Sequence, residues 1–379
     1  MQARSRKAIL DFDVPRWMMR CMRRTTGNLE LTVMPDTNAP EKPTRRDFLV
    51  LAGVAAGSAL LPAPLRAQLA RRRTAESAFR WEPLGTAARV AYGTGGNSLV
   101  VTGRGEALLV DTKVNGWGQV LDREAQAFGA RIRTVVNTHH HGDHTGGNDA
   151  FTRTATTVAH ARAKDRVLAD VGQSLARLKG APVDAYAAGL RQSGFDVTIT
   201  SDVRRDVERF IASLERVTPQ AFAPTTTLET ERELRAAGYV VQVAHVNPAH
   251  TDNDVVVRIP ELNLLHAGDL LFNGHHAFID VSAGATTAGW DRALAAAIAM
   301  CDRDTRVIAG HGAVTDRAGL QRQRDYFERM REAVGAAIRE GRPRAEVVKL
   351  RPAGIGDLVW AEMMPQTIGV VYDELAGKR

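Results

Sequence analysis

The alternation of apolar and polar residues predicts strands and helices in turn from about Arg89 onward. Short aliphatic or β-branched runs bounded by glycine or asparagine predict strands, and within residues 89–138 they are RVAYGTGG, NSLVVTG, EALLVDT and TVVNT. Further strands are predicted at 154–160, 239–245, 254–259, 263–269 and 305–311, and helices at about 116–129, 288–301 and 316–340. Strands separated by helices, several of them ending in polar clusters, are typical of a layered α/β architecture.

Residues 161–216 interrupt this alternation with a long helical stretch. They are rich in Ala, Leu, Arg and Asp at helical spacing, which predicts an inserted helical hairpin or small subdomain. We therefore predict one α/β domain over residues 80–345 that includes the insertion. Residues 346–379 are expected to pack on that domain as a C-terminal segment, with TIGVVYDEL as its closing helix.

Residues 44–68, TRRDFLVLAGVAAGSALLPAPLRAQ, have the composition of an export signal. Arg45 and Arg46 precede an uncharged apolar run of about 14 residues, which is shorter than the roughly 20 residues of a membrane-spanning helix. The string TRRDFL resembles the twin-arginine signal, by which bacterial proteins are exported already folded. Residues 1–67 are thus predicted to be a leader, with Met34 as an alternative start. The twin-arginine export machinery is an expected partner, and the mature protein is expected to be periplasmic or secreted.

Most of the positive charge lies in that leader. The formal net charge is +7, but residues 1–67 hold 11 Lys and Arg against 6 Asp and Glu, so only +2 remains for the rest of the chain. A nearly neutral folded part offers no basic face, and no nucleic-acid partner is expected. Cys21 and Cys301 are the only cysteines. Because Cys21 lies in the leader, a mature chain has neither an internal disulfide nor a cysteine metal site.

A cluster of metal-ligating side chains follows the predicted strand TVVNT. His139, His141, Asp143 and His144 lie within THHHGDHTGG, and the alternation of the first two places them on one side. A turn through Gly142 brings the other two beside them. Imidazole nitrogens and carboxylate oxygens are the ligands that zinc and similar divalent metals prefer. Four such groups are too crowded for one closed tetrahedral site, and they suit two neighbouring metals if further ligands come from elsewhere.

Three later residues can supply those further ligands. His250 opens HTDND after a predicted strand, Asp269 ends LLHAGD, and His311 lies in GHG after TRVIAG. All three lie where a strand passes into a loop, which is where a rigid scaffold presents functional side chains. A single residue of this kind is usually a capping or surface residue, but the whole set predicts a shared metal site.

The motif HHHGDH resembles the HxHxDH signature of the metallo-β-lactamase superfamily, and the three later residues match that family's remaining ligand positions in order. The resemblance covers roughly residues 87–315 and implies a four-layer αββα sandwich with the site at one edge between the sheets. It implies that the first metal is held by His139, His141 and His250. It implies that the second is held by Asp143, His144 and His311, with Asp269 bridging both.

The same resemblance implies a hydrolase with two divalent metal ions, for which Zn²⁺ is favoured and iron or manganese are alternatives. In such a site a metal-bridging hydroxide attacks an ester, lactone, thioester or amide (lactam-like) bond. Asp143 is the expected catalytic residue, because it orients the hydroxide and passes its proton to the leaving group. The expected partner is a small-molecule substrate, and the insertion at 161–216 is expected to determine which one.

Two functions of other classes remain open from the sequence. The same ligands hold iron in oxidoreductases of this fold, such as persulfide dioxygenases and di-iron flavoproteins, although no flavin-binding domain follows here. A non-catalytic binding protein that keeps the fold is the other alternative. Among hydrolases, the commonest lactamases use cysteine where this chain has Asp269, so a dedicated β-lactamase is less expected. Glyoxalase-type thioesterases and lactonases carry this aspartate, but the glyoxalase tail is not recognisable after His311.

Other polar residues near the predicted site have narrower expected roles. His245, His275 and His276 are candidates for the substrate pocket. Asp254 resembles a structural carboxylate that steadies the ligand loop HTDND. His140 lies between two ligands of a strand-like alternation and is expected to point away from the metals.

Overall fold

The computed structural model of the chain describes residues 77–246 and 248–378. The predicted leader, its twin-arginine signal and the alternative start at Met34 lie outside these residues. The described residues from Ala78 onward belong to one structural unit. Among them, no helix combines the length and the apolar character needed to cross a lipid bilayer.

One sheet has seven strands arranged in chain order. These strands are β1 (Arg80–Leu84), β2 (Ala88–Tyr92), β3 (Ser98–Gly103), β4 (Glu106–Val110), β5 (Arg131–Val136), β6 (Thr156–His160) and β7 (Thr226–Leu228). The pairs from β1 to β4 are antiparallel, and those from β4 to β7 are parallel. Because β4, β5 and β6 are parallel, their C-terminal ends meet at one edge of the sheet, where the loops that carry polar clusters begin.

A second sheet has five strands, and its spatial order runs backwards along the chain. These strands are β8 (Glu231–Ala236), β9 (Tyr239–His245), β10 (Val255–Ile259), β11 (Leu264–Phe272) and β12 (Arg306–His311). The pairs from β8 to β11 are antiparallel, whereas β12 is parallel to β11. Every residue of β10 and β11 is buried, because these strands lie inside the sheet and are covered on both faces.

An apolar layer joins the two sheets face to face. Val101, Leu108 and Val136 of the first sheet form one buried cluster with Val243 and Ile259 of the second. Alternate residues of the same strands point outward, where they meet helices instead. Each fully buried Val, Leu or Ile side chain stabilises the fold by about 1.5–3 kcal/mol, so this layer is the main contact between the sheets.

Helices cover the outer face of each sheet. They are α1 (Gly118–Gln126), α2 (Gly142–Thr145), α3 (Ala161–Leu178), α4 (Val183–Gln192), α5 (Ser201–Ser213), α6 (Thr287–Ala299), α7 (Arg317–Arg339), α8 (Arg344–Val347) and α9 (Met364–Leu375). Residues of α1, α4 and α5 share a core cluster with the first sheet, and residues of α6, α7 and α9 share one with the second. The predicted four-layer αββα sandwich is therefore confirmed.

The helical insertion contains three helices, α3, α4 and α5, where the sequence pattern predicted a hairpin or a small subdomain. Ala187 of α4 and Val203 of α5 are buried in the same cluster as Val135 of the first sheet. Val171 of α3 packs against Phe210 of α5 in a smaller cluster. Two of the three helices thus form part of the outer helical layer, and the third packs on them.

Three short strands, β1, β7 and β8, have no clear alternation in the sequence and were not predicted. All three lie at sheet edges. β1 contains Pro83, and β8 has the charged sequence ERELRA. Proline and exposed charges are tolerated at an edge, where one side of the strand has no partner, and they discourage pairing with other chains.

The C-terminal segment lies against the second sheet's helical layer. Met364, Ile368 and Val371 of α9 are buried in the same cluster as Phe327 of α7. Glu374 of α9 accepts a hydrogen bond from the backbone N–H of the first residue of α6 at 2.8 Å. The segment is thereby attached to two helices of that layer.

Asn97 joins the two sheets at the edge where the polar clusters lie. Its backbone N–H donates to the carbonyl oxygen of Gly310 at 2.7 Å. Its side-chain amide donates to the carbonyl oxygens of Ala309 at 2.9 Å and Gly312 at 2.7 Å. The loop before β3 is therefore fixed to the end of β12, which holds the two halves of the site together.

Asp149 is a half-buried ionisable group that lies away from the polar clusters. Its Oδ2 accepts a hydrogen bond from Gln119 of α1 at 2.9 Å, whereas its buried Oδ1 has no hydrogen-bond partner. Burial raises the pKa of Asp149 from 3.8 to about 6. The folded chain therefore keeps this proton to a higher pH than the unfolded chain does, and its stability falls as the pH rises from about 4 to about 6.

We predict that Asp149→Asn removes this pH dependence. Relative to the wild type, the variant should gain about 2 kcal/mol of unfolding free energy between pH 4 and pH 7.5, since one pKa unit corresponds to 1.36 kcal/mol. Urea unfolding at both pH values measures the gain, and Asp304→Asn at an exposed carboxylate is the control. Equal differences between variant and wild type at both pH values would contradict the prediction.

Candidate metal centre

The loop that follows β5 is fixed by one buried carboxylate. Asp111 accepts hydrogen bonds from the backbone N–H and the hydroxyl of Thr138, each at 2.8 Å. It also accepts a hydrogen bond from Nδ1 of His144 at 2.7 Å. Asp111 has a φ of 61°, a left-handed conformation that aspartate tolerates better than most residues. The start of the loop and one of its histidines are thus fixed by the same side chain.

Three imidazole nitrogens converge on one point at this loop. Nδ1 of His141 lies 3.0 Å from Nε2 of His139 and 2.9 Å from Nε2 of His250. The first two residues follow β5, and His250 comes from the loop between β9 and β10. Separations of this size suit three ligands around one cation, because zinc–nitrogen bonds are about 2.0–2.1 Å long.

Hydrogen bonds on the outer nitrogens of two of these rings set their tautomers. Nδ1 of His250 donates to the carbonyl oxygen of Phe278 at 2.8 Å. Nε2 of His141 donates to Oδ2 of Asp280 at 2.9 Å. A carbonyl and a carboxylate accept but do not donate, so the proton of each neutral ring lies on the outer nitrogen. The inner nitrogen of each ring then directs a lone pair to the shared point.

The third ring follows the same arrangement through a hydroxyl relay. The hydroxyl of Thr138 gives its proton to Asp111 at 2.8 Å. It therefore accepts from Nδ1 of His139, which lies 3.1 Å away. Nε2 of His139 is left unprotonated, and all three rings present lone pairs to one position, as ligands of a single metal do.

Asp143, His144 and His311 form a second set of possible ligands. Oδ2 of Asp143 lies 3.4 Å from Nε2 of His144 and 3.3 Å from Nε2 of His311. The first two residues belong to α2, and His311 ends β12. The ligand atoms of the three residues lie within 4.8 Å of one another. The two sheets therefore each contribute to this set.

Asp269 lies between the two sets. Its Oδ2 is 3.8 Å from Nε2 of His139 and 3.5 Å from Nε2 of His250, in the first set. The same oxygen is 3.4 Å from Nε2 of His311, and Oδ1 is 3.2 Å from Nε2 of His144, in the second set. This carboxylate, at the point where β11 passes the β5 loop, is placed to contact a metal in either set.

The two sets differ in their electrostatics. Burial, together with the neighbouring His144, lowers the pKa of His139 well below its usual value. Burial, together with His141, lowers the pKa of His250 to about 3. Both rings are therefore neutral near pH 7, which is the form that binds a metal.

The histidines of the second set are surrounded by carboxylates. Burial would lower the pKa of His311, but Asp269 and Asp143 outweigh it and raise that pKa to about 9. For His144, Asp269, Asp143 and Asp111 outweigh burial and hold its pKa well above the usual value. The pKa of Asp143 and of Asp269 is in turn held well below the usual range, because the histidine contacts outweigh burial. The ionised carboxylates thus stabilise positive charge in this set, and they would stabilise bound cations in the same way.

Two buried atoms in the centre lack hydrogen-bond partners. Nε2 of His144 and Oδ1 of Asp269 are both buried without one, and they face each other at 3.2 Å. An unpartnered buried polar atom is costly, and a cation would satisfy both of these. The donors present therefore fit two divalent metal ions. A set of imidazole and carboxylate donors accepts zinc, iron or manganese.

A cavity of about 390 Å³ opens onto these residues. Asp143, at its floor, is half-buried and accessible, whereas Asp269 is 4% exposed. The cavity lining consists of His141, Gly142, Asp143, Ser193, Phe195, His250, Asp269, Phe272, Phe278, His311, Trp360 and Met363. This volume suits a small molecule.

The structure places the three histidines expected in the substrate pocket outside the cavity lining. The ring of His245 packs on that of His160, with 4.4 Å between centroids, and its Nδ1 contacts a backbone carbonyl. His276 is buried against the hydroxyl of Tyr326. The ring of His275 packs against that of Trp360, with 4.7 Å between centroids. Nearness in the sequence to a strand end does not fix the direction of a side chain, and in the structure these three rings pack against other residues.

Asp254 and His140 lie beside the centre. Asp254 is buried and accepts from the backbone N–H of Thr251 at 2.8 Å and from its hydroxyl at 2.7 Å. It therefore braces the loop that carries His250. Nδ1 of His140 lies 3.1 Å from the amide nitrogen of Asn253, and the ring does not line the cavity.

Sequence reasoning missed Asp280 and Asp111, which orient two of the histidines. Asp111 ends the apolar run EALLVD, and its place at the end of a strand was a usable signal. Asp280 is 139 residues from the histidine that it contacts. Its loop has no pattern that points to the site, so only the packing of the chain brings it there.

The fold and the centre together define a class: an αββα sandwich with two adjoining His/Asp sets that could bind metal ions at one edge of its sheets. The sequence profile described as "Metallo-beta-lactamase superfamily" matches residues 91–312. The chain therefore belongs to the metallo-beta-lactamase superfamily. A comparison with curated proteins finds no significant match.

Several solved structures are similar to this chain. DIM-1 metallo-beta-lactamase is 19% identical, with a TM-score of 0.47 over 66% of this chain and 97% of that chain. The metallo-beta-lactamase from Pontibacter korlensis is 17% identical, with a TM-score of 0.47 over 66% of this chain and 99% of that chain. TMB-1 is 17% identical, with a TM-score of 0.46 over 66% of this chain and 97% of that chain. The family assignment rests on the matched residues 91–312.

We predict that Gly96→Ala removes one of two bound metals. A Cβ at this position would overlap the imidazole of His144, so the ring has to leave its place in the second set. Elemental analysis of the metal-loaded variant should give about one metal per chain where the wild type holds two. The control is Gly189→Ala in α4, where an added Cβ meets nothing within 4 Å. Two metals in Gly96→Ala would count against this geometry.

We predict that Asp280→Ala weakens metal binding without unfolding the chain. Removing a carboxylate that orients a ligand histidine typically lowers metal affinity by about 10- to 100-fold, and Asp280 orients His141. Competition with a chromogenic chelator measures the affinity. Ser282→Ala is the matched control, since it removes the hydrogen bond from the Ser282 hydroxyl to Asp280 and leaves His141 untouched. Unchanged affinity in Asp280→Ala would show that the contact is incidental.

Proposed function

We propose that the chain is a two-metal hydrolase that cleaves an ester, lactone, thioester or amide bond in a small molecule. One observation carries this proposal: two adjoining sets of ligand atoms share the carboxylate of Asp269, which lies within 3.8 Å of histidines of both sets. Membership of the metallo-beta-lactamase superfamily supports it, since most members of that family are hydrolases. We assign the first metal to His139, His141 and His250, and the second to Asp143, His144 and His311.

Two divalent cations at these positions would lower the pKa of water and polarise the oxygen of the scissile group. The chain's own contribution is mostly orientation. Asp143 is the more exposed of the two carboxylates that line the cavity. Its pKa is held well below the usual range because the contacts to His144 and His311 outweigh burial. It is ionised at pH 7 and can orient the attacking water. The water oxygen bonds to the acyl carbon, the bond to the leaving group breaks, and Asp143 carries the proton to that group.

We further propose that zinc is the resident metal and that the protein acts outside the cytoplasm. Imidazole with carboxylate is a common zinc donor set, although iron and manganese accept the same ligands. Export is supported by the twin arginines in TRRDFL and by the apolar run that follows them. A periplasmic or secreted hydrolase would meet small diffusible substrates.

We predict that Asp143→Asn lowers kcat by about 10²- to 10⁴-fold, which is the usual contribution of a positioned acid–base group. The amide keeps the size of the side chain but cannot take up the proton. The measurement combines elemental analysis with a screen of chromogenic ester, lactone, thioester, phosphodiester and lactam substrates. Asp304→Asn, at an exposed carboxylate remote from the cavity, is the control. Circular dichroism verifies that both variants are folded.

Three results would overturn the proposal in different ways. Turnover by Asp143→Asn at the wild-type rate would remove its assigned role. One iron per chain, with oxygen consumption on a persulfide and no hydrolysis, would favour the oxidoreductase alternative. Two metals with no turnover of any bond class would favour a binding protein that keeps the fold.

A further inference from the structure

The walls of the cavity are largely aromatic, and part of them comes from two segments outside the strands. Phe195 follows α4 in the helical insertion, and Trp360 and Met363 belong to the C-terminal segment. Phe272, at the end of β11, and Phe278 complete the wall. The metal ligands form the floor, so any substrate bound at the floor has part of its structure against these side chains.

The C-terminal segment is held in place by backbone pairing next to the centre. The N–H of Val359 donates to the carbonyl oxygen of Gly274 at 3.0 Å, and the N–H of His276 donates to the carbonyl oxygen of Val359 at 2.8 Å. Trp360 follows with a φ of 64°, a left-handed conformation that bulky residues rarely adopt. A residue held in this conformation beside a site is a candidate for a functional role.

Trp360 reaches both the metal floor and the insertion. Its ring lies 4.9 Å from that of His311 between centroids, at 65°. A Cβ added at Gly194 would lie 2.5 Å from Nε1 of Trp360, so the absence of a side chain there allows the close approach. Phe272 stacks on His311 at 5.3 Å, and Phe195 lies 6.4 Å from it. Three aromatic rings thus surround one histidine of the second set.

The described residues that line the cavity include no lysine or arginine. Lys113 and Arg166 lie beside the centre, and their side-chain nitrogens are engaged elsewhere. Lys113 donates to the carbonyl oxygens of Ala91 and Gly96, each at 2.7 Å. Arg166 makes two hydrogen bonds to the carboxylate of Asp252, at 2.8 and 2.9 Å. A substrate carboxylate in the aromatic part of the cavity would therefore lose its hydration with no lysine or arginine to replace it, which is costly.

We infer that the substrates are uncharged and carry an apolar alkyl or aryl group, which binds between Phe195 of the insertion and Trp360 of the C-terminal segment. This inference rests on the proposed hydrolase function and adds the substrate class to it. The cavity of about 390 Å³ accommodates such a group together with the scissile bond. Specificity then comes from the insertion and the C-terminal segment jointly.

The test uses the metal-loaded chain and a series of neutral 4-nitrophenyl esters from acetate to octanoate. For the wild type, kcat/KM should rise at least about tenfold from acetate to hexanoate, as apolar pockets discriminate single methylene groups by about that factor or more. The 4-nitrophenyl monoester of adipic acid, whose chain ends in a carboxylate, should be cleaved about tenfold more slowly than the hexanoate.

Substitutions then identify the residues that cause the dependence on acyl chain length. Trp360→Ala and Phe195→Ala should lower kcat/KM for the hexanoate more than for the acetate, which flattens the chain-length dependence. Val359→Ala is the matched control, because that side chain is 54% exposed and does not line the cavity. A chain-length dependence that persists in both alanine variants, or faster cleavage of the adipate monoester, would overturn the inference.

A binding measurement separates this inference from the proposed function. Ligand-observed NMR compares binding of 2-octanone and 2-butanone, which are unreactive, by the wild type and by Trp360→Ala. The wild type should bind 2-octanone more tightly, and Trp360→Ala should lose that preference. If no ester, lactone or thioester is hydrolysed but the preference is present, the hydrolase proposal fails and the apolar pocket stands. Hydrolysis without any preference for the longer ketone would refute the apolar pocket and leave the hydrolase proposal standing.

Discussion

The centre depends on hydrogen bonds made on the far side of each imidazole from the metals. A neutral imidazole has one proton and one lone pair, so the acceptor on its outer nitrogen decides where the lone pair points. The carbonyl oxygen of Phe278 and the carboxylates of Asp280 and Asp111 fix the direction of the lone pair in three of the rings. Without these acceptors the same histidines would adopt other tautomers or rotamers, and the two ligand sets would not converge.

Backbone strain occurs at three positions around this arrangement. Asp111, Lys113 and Trp360 are non-glycine residues with positive φ, a conformation that costs on the order of 1–3 kcal/mol for each residue. Each has buried contacts that offset this cost. Asp111 accepts from Thr138 and His144, and Lys113 donates to two carbonyl oxygens. The strained positions thus lie in the loop that fixes the centre and, at Trp360, in the cavity wall.

The layered fold and the residues of the centre could be predicted from the sequence because their signals are local. His139 to His144 lie in one short motif. Of the remaining ligand-type residues, His311 ends β12, Asp269 lies inside β11 and His250 follows β9, so the pairing of these strands brings them to one edge. Asp280 and the carbonyl of Phe278 could not be predicted, since their contacts depend on how distant loops pack.

The residues of the cavity walls, too, could be predicted only in part, because they depend on contacts between distant segments. The insertion was expected to determine specificity, and Phe195 does line the cavity, but so does Trp360 of the C-terminal segment. The place of Trp360 depends on the pairing of Val359 with the residues around His275, a contact between segments more than 80 residues apart. Apolar periodicity carries no information about such a contact. The three edge strands were missed for a related reason, because their one-sided exposure permits charged and proline-containing sequences.

The central claim is that two cations share Asp269 between two separate ligand sets. Anomalous diffraction from a crystal of the zinc-loaded chain, recorded on both sides of the zinc absorption edge, tests it most directly. The account predicts two peaks about 3.5–4 Å apart, the usual separation in two-metal sites. One should be bound by His139, His141 and His250, the other by Asp143, His144 and His311. A single peak, or a peak bound by residues outside these sets, would contradict it.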